Sequence, residues 1–121
     1  MGIQKFEDLI AWRKSQDLAV SIYQAFEGSK DFSFKDQIRR ASVSVSNNVA
    51  EGFDRGSRPD FVRFLSFSLA SCSEVKSMLY LGERLQYISM DKRDALIANA
   101  IEVAKIITGL IKVLKLVDPK K

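Results

Sequence analysis

The fold is decided by residues 34–53, which read FKDQIRRASVSVSNNVAEGF. Six apolar side chains in this stretch recur at intervals of three or four residues, and a turn of about 100° per residue gathers them into one arc of an α-helix. We therefore predict a helix that packs this arc against a core. The arc consists of Phe34, Ile38, Ala41, Val45, Val49 and Phe53.

Start and stop signals on either side of this helix predict three further helices. Gly28 ends the first helix. Ser33 begins the second helix, because it is the first residue of a Ser-x-x-acid box and its hydroxyl can accept a hydrogen bond from an amide of the first turn. Ser57 caps the third, whose first turn contains Pro59, and Pro119 follows the fourth. The predicted helices cover about residues 7–27, 33–53, 58–87 and 90–117.

Composition favours a single all-α domain. The chain has 121 residues, of which 46% are hydrophobic and 28% are charged, with only two prolines and six glycines. A chain of this length forms one core, and so few turn-forming residues disfavour sandwiches and barrels. Short connections place consecutive long helices antiparallel. We predict one domain, residues 1–121, folded as an antiparallel up-down-up-down four-helix bundle.

Two helices carry more apolar surface than one bundle core uses. In the fourth helix, the apolar positions between residues 96 and 117 cover well over half of the circumference. In the third, four apolar side chains lie outside or at the margin of the buried arc. Such surfaces favour association of copies, so we predict a homo-oligomer. We expect these four in the subunit interface: Phe67, Leu69, Tyr80 and Leu81.

The chain lacks the residues of common catalytic sites. It contains no histidine, which removes the usual general base at neutral pH and the commonest metal ligand. It also lacks the glycine-rich phosphate loops. Ser73 and Lys76 match an S-x-x-K pattern, but the companion motifs of those acyl-transfer enzymes are absent. We therefore expect a protein that is not an enzyme, with no metal, cofactor or small-molecule substrate.

The expected location is the cytoplasm. The N-terminus lacks the pattern of a signal peptide, and no stretch approaches the roughly 18 apolar residues that span a bilayer. The single cysteine, Cys72, fits a reducing compartment and is expected in the core. Lysines near the C-terminus complement the negative end of the fourth helix, and we expect no membrane binding from them. They are Lys112, Lys115, Lys120 and Lys121.

A polar stripe lies opposite the apolar arc of residues 34–53, because positions four, seven and eleven residues apart return to one side of a helix. Two interpretations stay open. The stripe is either a solvated face with ion pairs such as Arg40 to Asp36, or an intersubunit seam whose hydrogen bonds select subunit register. Its members are Arg40, Ser44, Asn47 and Glu51.

Residues 37–52, QIRRASVSVSNNVAEG, carry a resemblance to a known family. With their surroundings they resemble the four-helix bundle family of 23S ribosomal RNA intervening-sequence proteins, also labelled S23 ribosomal proteins. The family often has proline at Ser46 and glycine at Ala70, so we expect a straighter second helix and slightly wider packing near Ala70. The resemblance spans nearly the whole chain and includes Phe6, Leu9, Trp12, Ser44, Asn48, Ala50, Glu51, Gly52, Phe61, Phe64, Leu65, Ser71 and Glu74.

The resemblance implies a bacterial protein with a left-handed up-and-down bundle that assembles into a ring-like homopentamer. It also implies similarity to the accessory protein of diversity-generating retroelements, which works with a reverse transcriptase and its RNA. The expected partner is therefore structured RNA or an RNA-handling protein. A protein-directed scaffold with no nucleic-acid role is the alternative.

A basic cluster offers a surface for RNA in a chain whose formal net charge is +4. Arginine suits phosphate because its planar guanidinium donates two parallel hydrogen bonds. Acidic residues interspersed with the arginines dilute the cluster. We interpret the protein as an oligomeric helical-bundle adaptor and predict that its RNA-binding residues are Arg39, Arg40, Arg55, Arg58 and Arg63.

Overall fold

The computed structural model describes residues 2–116, and within them the chain forms four α-helices and no strand. A short 3₁₀ turn, Phe6–Asp8, precedes them. Each helix packs against its neighbours in sequence, and α1 also packs against α4, which closes the ring of a four-helix bundle. The predicted all-α fold is confirmed. The helices are α1 Ile10–Ala25, α2 Phe32–Asp54, α3 Arg58–Arg84 and α4 Met90–Leu116.

The apolar arc predicted for α2 lies in the centre of the bundle. Ile38, Val45 and Val49 are fully buried, and only the last member of the arc, Phe53, is half-buried. Burying a side chain of this size contributes about 1.5–3 kcal/mol, so the arc accounts for much of the packing energy of α2. Fully buried side chains on the other three helices include Leu18, Ile22, Leu65, Leu79, Leu96 and Ile107.

The prediction that one helix runs from about residue 7 to 27 is wrong at both ends. Leu9 has extended backbone angles between the 3₁₀ turn and α1, which begins at Ile10 and ends at Ala25. The break brings the ring of Phe6 to 5.4 Å from that of Trp12, edge to face, and leaves Leu9 buried. A continuous helix would carry Phe6 away from this contact, so side-chain packing ends the helix early.

The start of α2 also differs from the prediction. The N-cap is Asp31, whose carboxylate accepts a hydrogen bond from the Phe34 amide at 3.1 Å, and Ser33 lies inside the first turn. The same carboxylate accepts a hydrogen bond from the Tyr87 hydroxyl at 2.6 Å. This contact with the segment after α3 positions the carboxylate for capping. The predicted cap of α3 is correct, because the Ser57 hydroxyl accepts from an amide of the first turn.

α3 ends at Arg84, three residues before the predicted end, because Gln86 adopts the left-handed conformation with φ 65°. The Tyr87 amide donates to the Gly82 carbonyl at 2.8 Å, and the Gln86 amide donates to the Glu83 carbonyl at 2.9 Å. These two bonds form a Schellman motif, which satisfies the last carbonyls of the helix. The left-handed position usually holds glycine, and glutamine there gives no stop signal in the sequence.

α4 combines a buried side with an exposed apolar one. Val103 and Ile107 are buried, whereas Ile101, Val113 and Leu116 are exposed by 38%, 59% and 84%. The exposed apolar surface inferred from the sequence is therefore present. The predicted end at residue 117, the stop at Pro119 and the lysines at 120 and 121 lie outside the described residues. None of the helices in residues 2–116 combines the length and the apolar character that a membrane-spanning helix requires.

Candidate nucleic-acid interface

A glycine sets the distance between α2 and α3 where the two helices meet at their connecting turn. A Cβ atom built on Gly52 would lie 2.6 Å from the Cβ of Phe64 and 3.2 Å from a ring carbon of Phe61. A methyl group there would overlap α3, so only glycine permits this approach. The turn that follows contains Gly56 with φ +87°, a conformation that other residues rarely adopt.

This close approach assembles two arginines around two phenylalanines, a group that we call the corner cluster: Arg55, Arg63, Phe64 and Phe67. The guanidinium carbons of Arg55 and Arg63 lie 4.7 and 4.9 Å from the centre of the Phe64 ring. The Arg63 guanidinium also lies 5.7 Å from the ring of Phe67. Phe64 is buried, whereas Phe67 is 44% exposed. The cluster therefore presents two guanidinium groups beside an accessible aromatic ring.

Acidic residues pair with the arginines of the cluster. Arg55 lies 3.3 Å from Glu51, and Arg63 lies 3.3 Å from Asp60, in both cases on or next to the same helix. All four side chains are more than 40% exposed, so water screens the pairs and each contributes less than about 1 kcal/mol. Arg58, half-buried in the first turn of α3, completes the basic residues at this corner.

The five predicted RNA-binding arginines do not form one patch. Arg40 lies about 22 Å from the corner along α2, by the helical rise, and pairs with Asp36 at 2.8 Å. Arg39 packs against α1, where its guanidinium lies 4.4 Å above the Tyr23 ring and donates to the Tyr23 carbonyl at 2.9 Å. By helical periodicity, Arg39 lies on the side of α2 that faces α1, away from the arginines at the corner. The patch is therefore limited to the three arginines at the corner.

The predicted polar stripe is likewise not a single surface. The Ser71 hydroxyl of α3 donates to the Ser44 hydroxyl at 2.9 Å. The Asn48 amide donates to the Ser44 hydroxyl at 3.0 Å and to its carbonyl at 2.9 Å. Ser44 is therefore half-buried between α2 and α3 of the same chain, because their close approach covers that side of α2. The other three members of the stripe, Arg40, Asn47 and Glu51, are exposed.

The four apolar residues predicted for a subunit interface lie on two flanks of α3. By the helical turn of about 100° per residue, Phe67 and Leu81 share the flank beside α2, and Leu69 and Tyr80 lie about 140–160° around the helix from Phe67. Leu69 is half-buried and packs against the core. The other three are 44–49% exposed, and the guanidinium of Arg93 on α4 lies 5.3 Å from the Tyr80 ring. One flat interface cannot include all four.

Side chains with nucleophilic or metal-binding chemistry are not gathered into one site in residues 2–116. Cys72 is buried, as predicted, and burial raises the pKa of its thiol to about 11, so the reactive thiolate is scarce at neutral pH. Ser73 is exposed on α3, and its hydroxyl makes no hydrogen bond to Lys76 in residues 2–116. In the same range, no group of three His, Cys, Asp or Glu side chains could hold a metal ion.

Comparison with known proteins gives the family. The family model for the 23S rRNA-intervening sequence protein matches residues 7–109. The chain belongs to this family. A solved structure with the same fold, at a TM-score of 0.80, is described as a protein with unknown function from the S23 ribosomal protein family of Bacteroides thetaiotaomicron. It is 27% identical, and the match covers 85% of this chain and 99% of that one. No curated protein matches the chain.

In this member of the family, two positions at which the resemblance leads us to expect other residues have clear structural settings. Ser46 is buried, donates to the Val43 carbonyl at 3.2 Å and accepts from the Gln16 amide at 3.2 Å, which ties α2 to α1. Ala70 is exposed on α3, so its methyl group does not separate helices. The expectation of wider packing near Ala70 is wrong.

Several contacts at this candidate interface were not predicted from the sequence. Phe64 stands out in the sequence only as one of the residues that carry the family resemblance, whereas its ring supports both guanidiniums of the corner cluster. The hydrogen bonds of Ser71 and Asn48 to Ser44 were not predicted either. The available signal was Gly52, a glycine within a helix whose other residues favour helix, because such a position indicates a close approach by a neighbouring element.

Proposed function

We propose that this protein is a non-catalytic adaptor that acts in the cytoplasm, assembles as a homo-oligomer and binds structured RNA through the corner cluster and Arg58. The observation that carries the proposal is the position of two guanidinium groups around Phe64, next to the exposed ring of Phe67. This arrangement offers both interactions that proteins commonly use on unpaired nucleotides, which are phosphate binding and base stacking.

The cation-π contacts support the proposal because they limit the motion of the arginines. Each contact at an exposed site contributes about 0.5–1 kcal/mol and holds the guanidinium plane near the surface of the ring. A guanidinium held in this way loses less conformational entropy when a phosphate binds. Phe67 adds a stacking surface, and stacking of one base on an aromatic side chain contributes about 1–3 kcal/mol.

The acidic partners weaken the cluster without blocking it. Glu51 and Asp60 balance the charges of Arg55 and Arg63 in the free protein, so the field of one cluster is small. A phosphate has to replace these exposed ion pairs, each of which contributes less than about 1 kcal/mol. Assembly then matters, because several copies of a modest site on one oligomer raise the overall affinity for an extended RNA.

The exposed apolar side chains support the oligomer. Tyr80 and Leu81 on α3 and Val113 on α4 are each exposed by 47–59%, and these apolar side chains are available for contact between copies. We expect native mass spectrometry at low salt to give a closed oligomer, with five subunits as the resemblance implies. A monomer at micromolar concentration would contradict the assembly part of the proposal.

RNA binding is tested by fluorescence anisotropy with a fluorescein-labelled RNA hairpin. We expect the double variant Arg55→Gln/Arg63→Gln to bind at least tenfold more weakly than the wild type, because two phosphate contacts are lost. The matched control is Arg13→Gln/Arg84→Gln, which has the same net charge and lies outside the corner. Equal affinities of the two variants would contradict the proposed site. No binding by the wild type at about 50 mM salt would favour a protein-directed scaffold instead.

A further inference from the structure

A second basic surface lies on the other flank of α3, where no function has been assigned so far. It is an open groove of about 370 Å³ between α3 and α4. Lys76 contributes from α3, and Lys105 and Lys112 contribute from α4. Lys76 is nine residues from Phe67, which corresponds to about 180° around the helix, so this groove and the corner cluster face different directions.

In the described part of the chain, the lysines of the groove lack the ion pairs that the arginines of the corner cluster form. None of its three lysines forms an ion pair within residues 2–116, in contrast to Arg55 and Arg63 of the corner cluster. Among nearby acids, Glu83 is paired with Arg93 at 3.0 Å. Glu102 precedes Lys105 by three residues but forms no ion pair with it in the described range. The three ammonium groups are therefore available to an anion without the displacement of an ion pair.

The spacing and the floor of the groove suit an elongated anion. Lys105 and Lys112 are seven residues apart, which places them about 10.5 Å apart along one side of α4. Ala104, Thr108 and Gly109 line the groove beside them, and their side chains are small. A Cβ on Gly109 would meet no atom within 4 Å, so no packing within the described chain requires glycine at this position of the helix. A chain of phosphates can therefore approach the backbone of α4 within the groove.

We infer that this groove binds the sugar-phosphate backbone of RNA as a second contact, separate from the corner cluster. This inference rests on the proposed RNA-binding function. Lysine ammonium groups act as mobile point charges on phosphate and do not read bases, so the contact adds affinity without sequence preference. Together the two surfaces place RNA contacts on both flanks of α3.

The test measures the affinity for the labelled RNA hairpin as a function of salt concentration. The variant Lys76→Gln/Lys105→Gln/Lys112→Gln removes the three positive charges of the groove. Glutamine favours helix about as well as lysine does, so the helices should be preserved. The matched control removes three exposed lysines elsewhere, Lys5→Gln/Lys30→Gln/Lys92→Gln, and has the same net charge.

We expect the groove variant to reduce the slope of log K against log salt by about 2–3 and the affinity near 100 mM salt by about a hundredfold, because three phosphate contacts are lost. The control should change the slope by less than about 1. Circular dichroism should show the same helix content in both.

A single position gives an independent check. Gly109→Glu places a negative charge in the groove, and Gly109→Gln has nearly the same shape without the charge. We expect the glutamate variant to bind the RNA hairpin at least fivefold more weakly than the glutamine variant. Equal binding by this pair would overturn the inference.

The outcomes separate this inference from the proposed function. If the wild type binds RNA and the corner variant weakens binding while the groove variant matches its control, the groove inference fails alone. If the wild type does not bind RNA at low salt, both fail. If the groove variant loses binding only to anionic phospholipid vesicles, the groove serves a membrane surface and the inference is overturned.

Discussion

Replacement of Gly52 by alanine tests the packing on which the corner cluster depends. The new methyl group would lie 2.6 Å from the Phe64 Cβ, 0.8 Å closer than the 3.4 Å at which ordinary contacts begin. The Phe64 Cβ is bonded directly to the backbone of α3, so no change of rotamer relieves the overlap and the helices have to move apart. Overpacking of this kind costs up to about 3 kcal/mol, and the higher helix propensity of alanine returns about 1 kcal/mol.

We therefore expect Gly52→Ala to lower the free energy of unfolding by about 2 kcal/mol and the melting temperature by about 6–8 °C. The assay is urea denaturation followed by circular dichroism at one fixed protein concentration, because oligomers gain stability with concentration. The matched control is Gly109→Ala, where the new Cβ meets open space. This variant should gain about 0.5–1 kcal/mol from helix propensity. Equal stability changes in the two variants would show that α3 does not require glycine at position 52.

Three further substitutions test single contacts. Ser71→Ala removes the donor to Ser44 and should lower the free energy of unfolding by about 0.5–1.5 kcal/mol in urea denaturation, whereas an unchanged midpoint would show that the bond adds nothing. Gln86→Gly relieves the left-handed backbone at φ 65° and should raise this free energy by about 1 kcal/mol, whereas a lower melting temperature would contradict this. Hydrogen bonding from Tyr87 lowers the pKa of Asp31 below its ordinary value of 3.8, so the stability from this pair is fully present above pH 3.8 and is lost as the pH falls through the lowered pKa. Tyr87→Phe should therefore be less stable than the wild type at pH 7 and differ less at pH 3, and a constant difference would contradict the assignment.

The sequence was sufficient for the number and order of the helices. Apolar residues from Phe34 to Phe53 recur at helical spacing, which predicts a helix with one apolar face. A chain with few prolines and glycines forms long helices of this kind, and they bury their apolar faces against one another. The N-cap at Ser57 was also predictable, since a hydroxyl followed by Pro59 satisfies the first turn locally. These features depend on residues close together in the chain.

Helix ends that depend on specific contacts and not on residue propensity were not predictable. Asp31 caps α2 while it accepts a hydrogen bond from Tyr87, 56 residues away. The break at Leu9 accompanies the edge-to-face contact between Phe6 and Trp12. Gln86 takes a conformation that its residue type disfavours because two backbone hydrogen bonds stabilise the end of α3. Local propensities differ by less than such tertiary contacts contribute.

Periodicity and chain order are enough to predict an all-α bundle with arginines near the turn between α2 and α3. Which charges lie close enough to act together depends on how the helices pack. The tertiary structure separated Arg39 and Arg40 from the corner, placed Ser44 inside the packing of α2 against α3, and brought Lys76 beside Lys105 and Lys112. The physical reason is that a surface forms from side chains on different helices, and their distances depend on how closely each pair of helices packs.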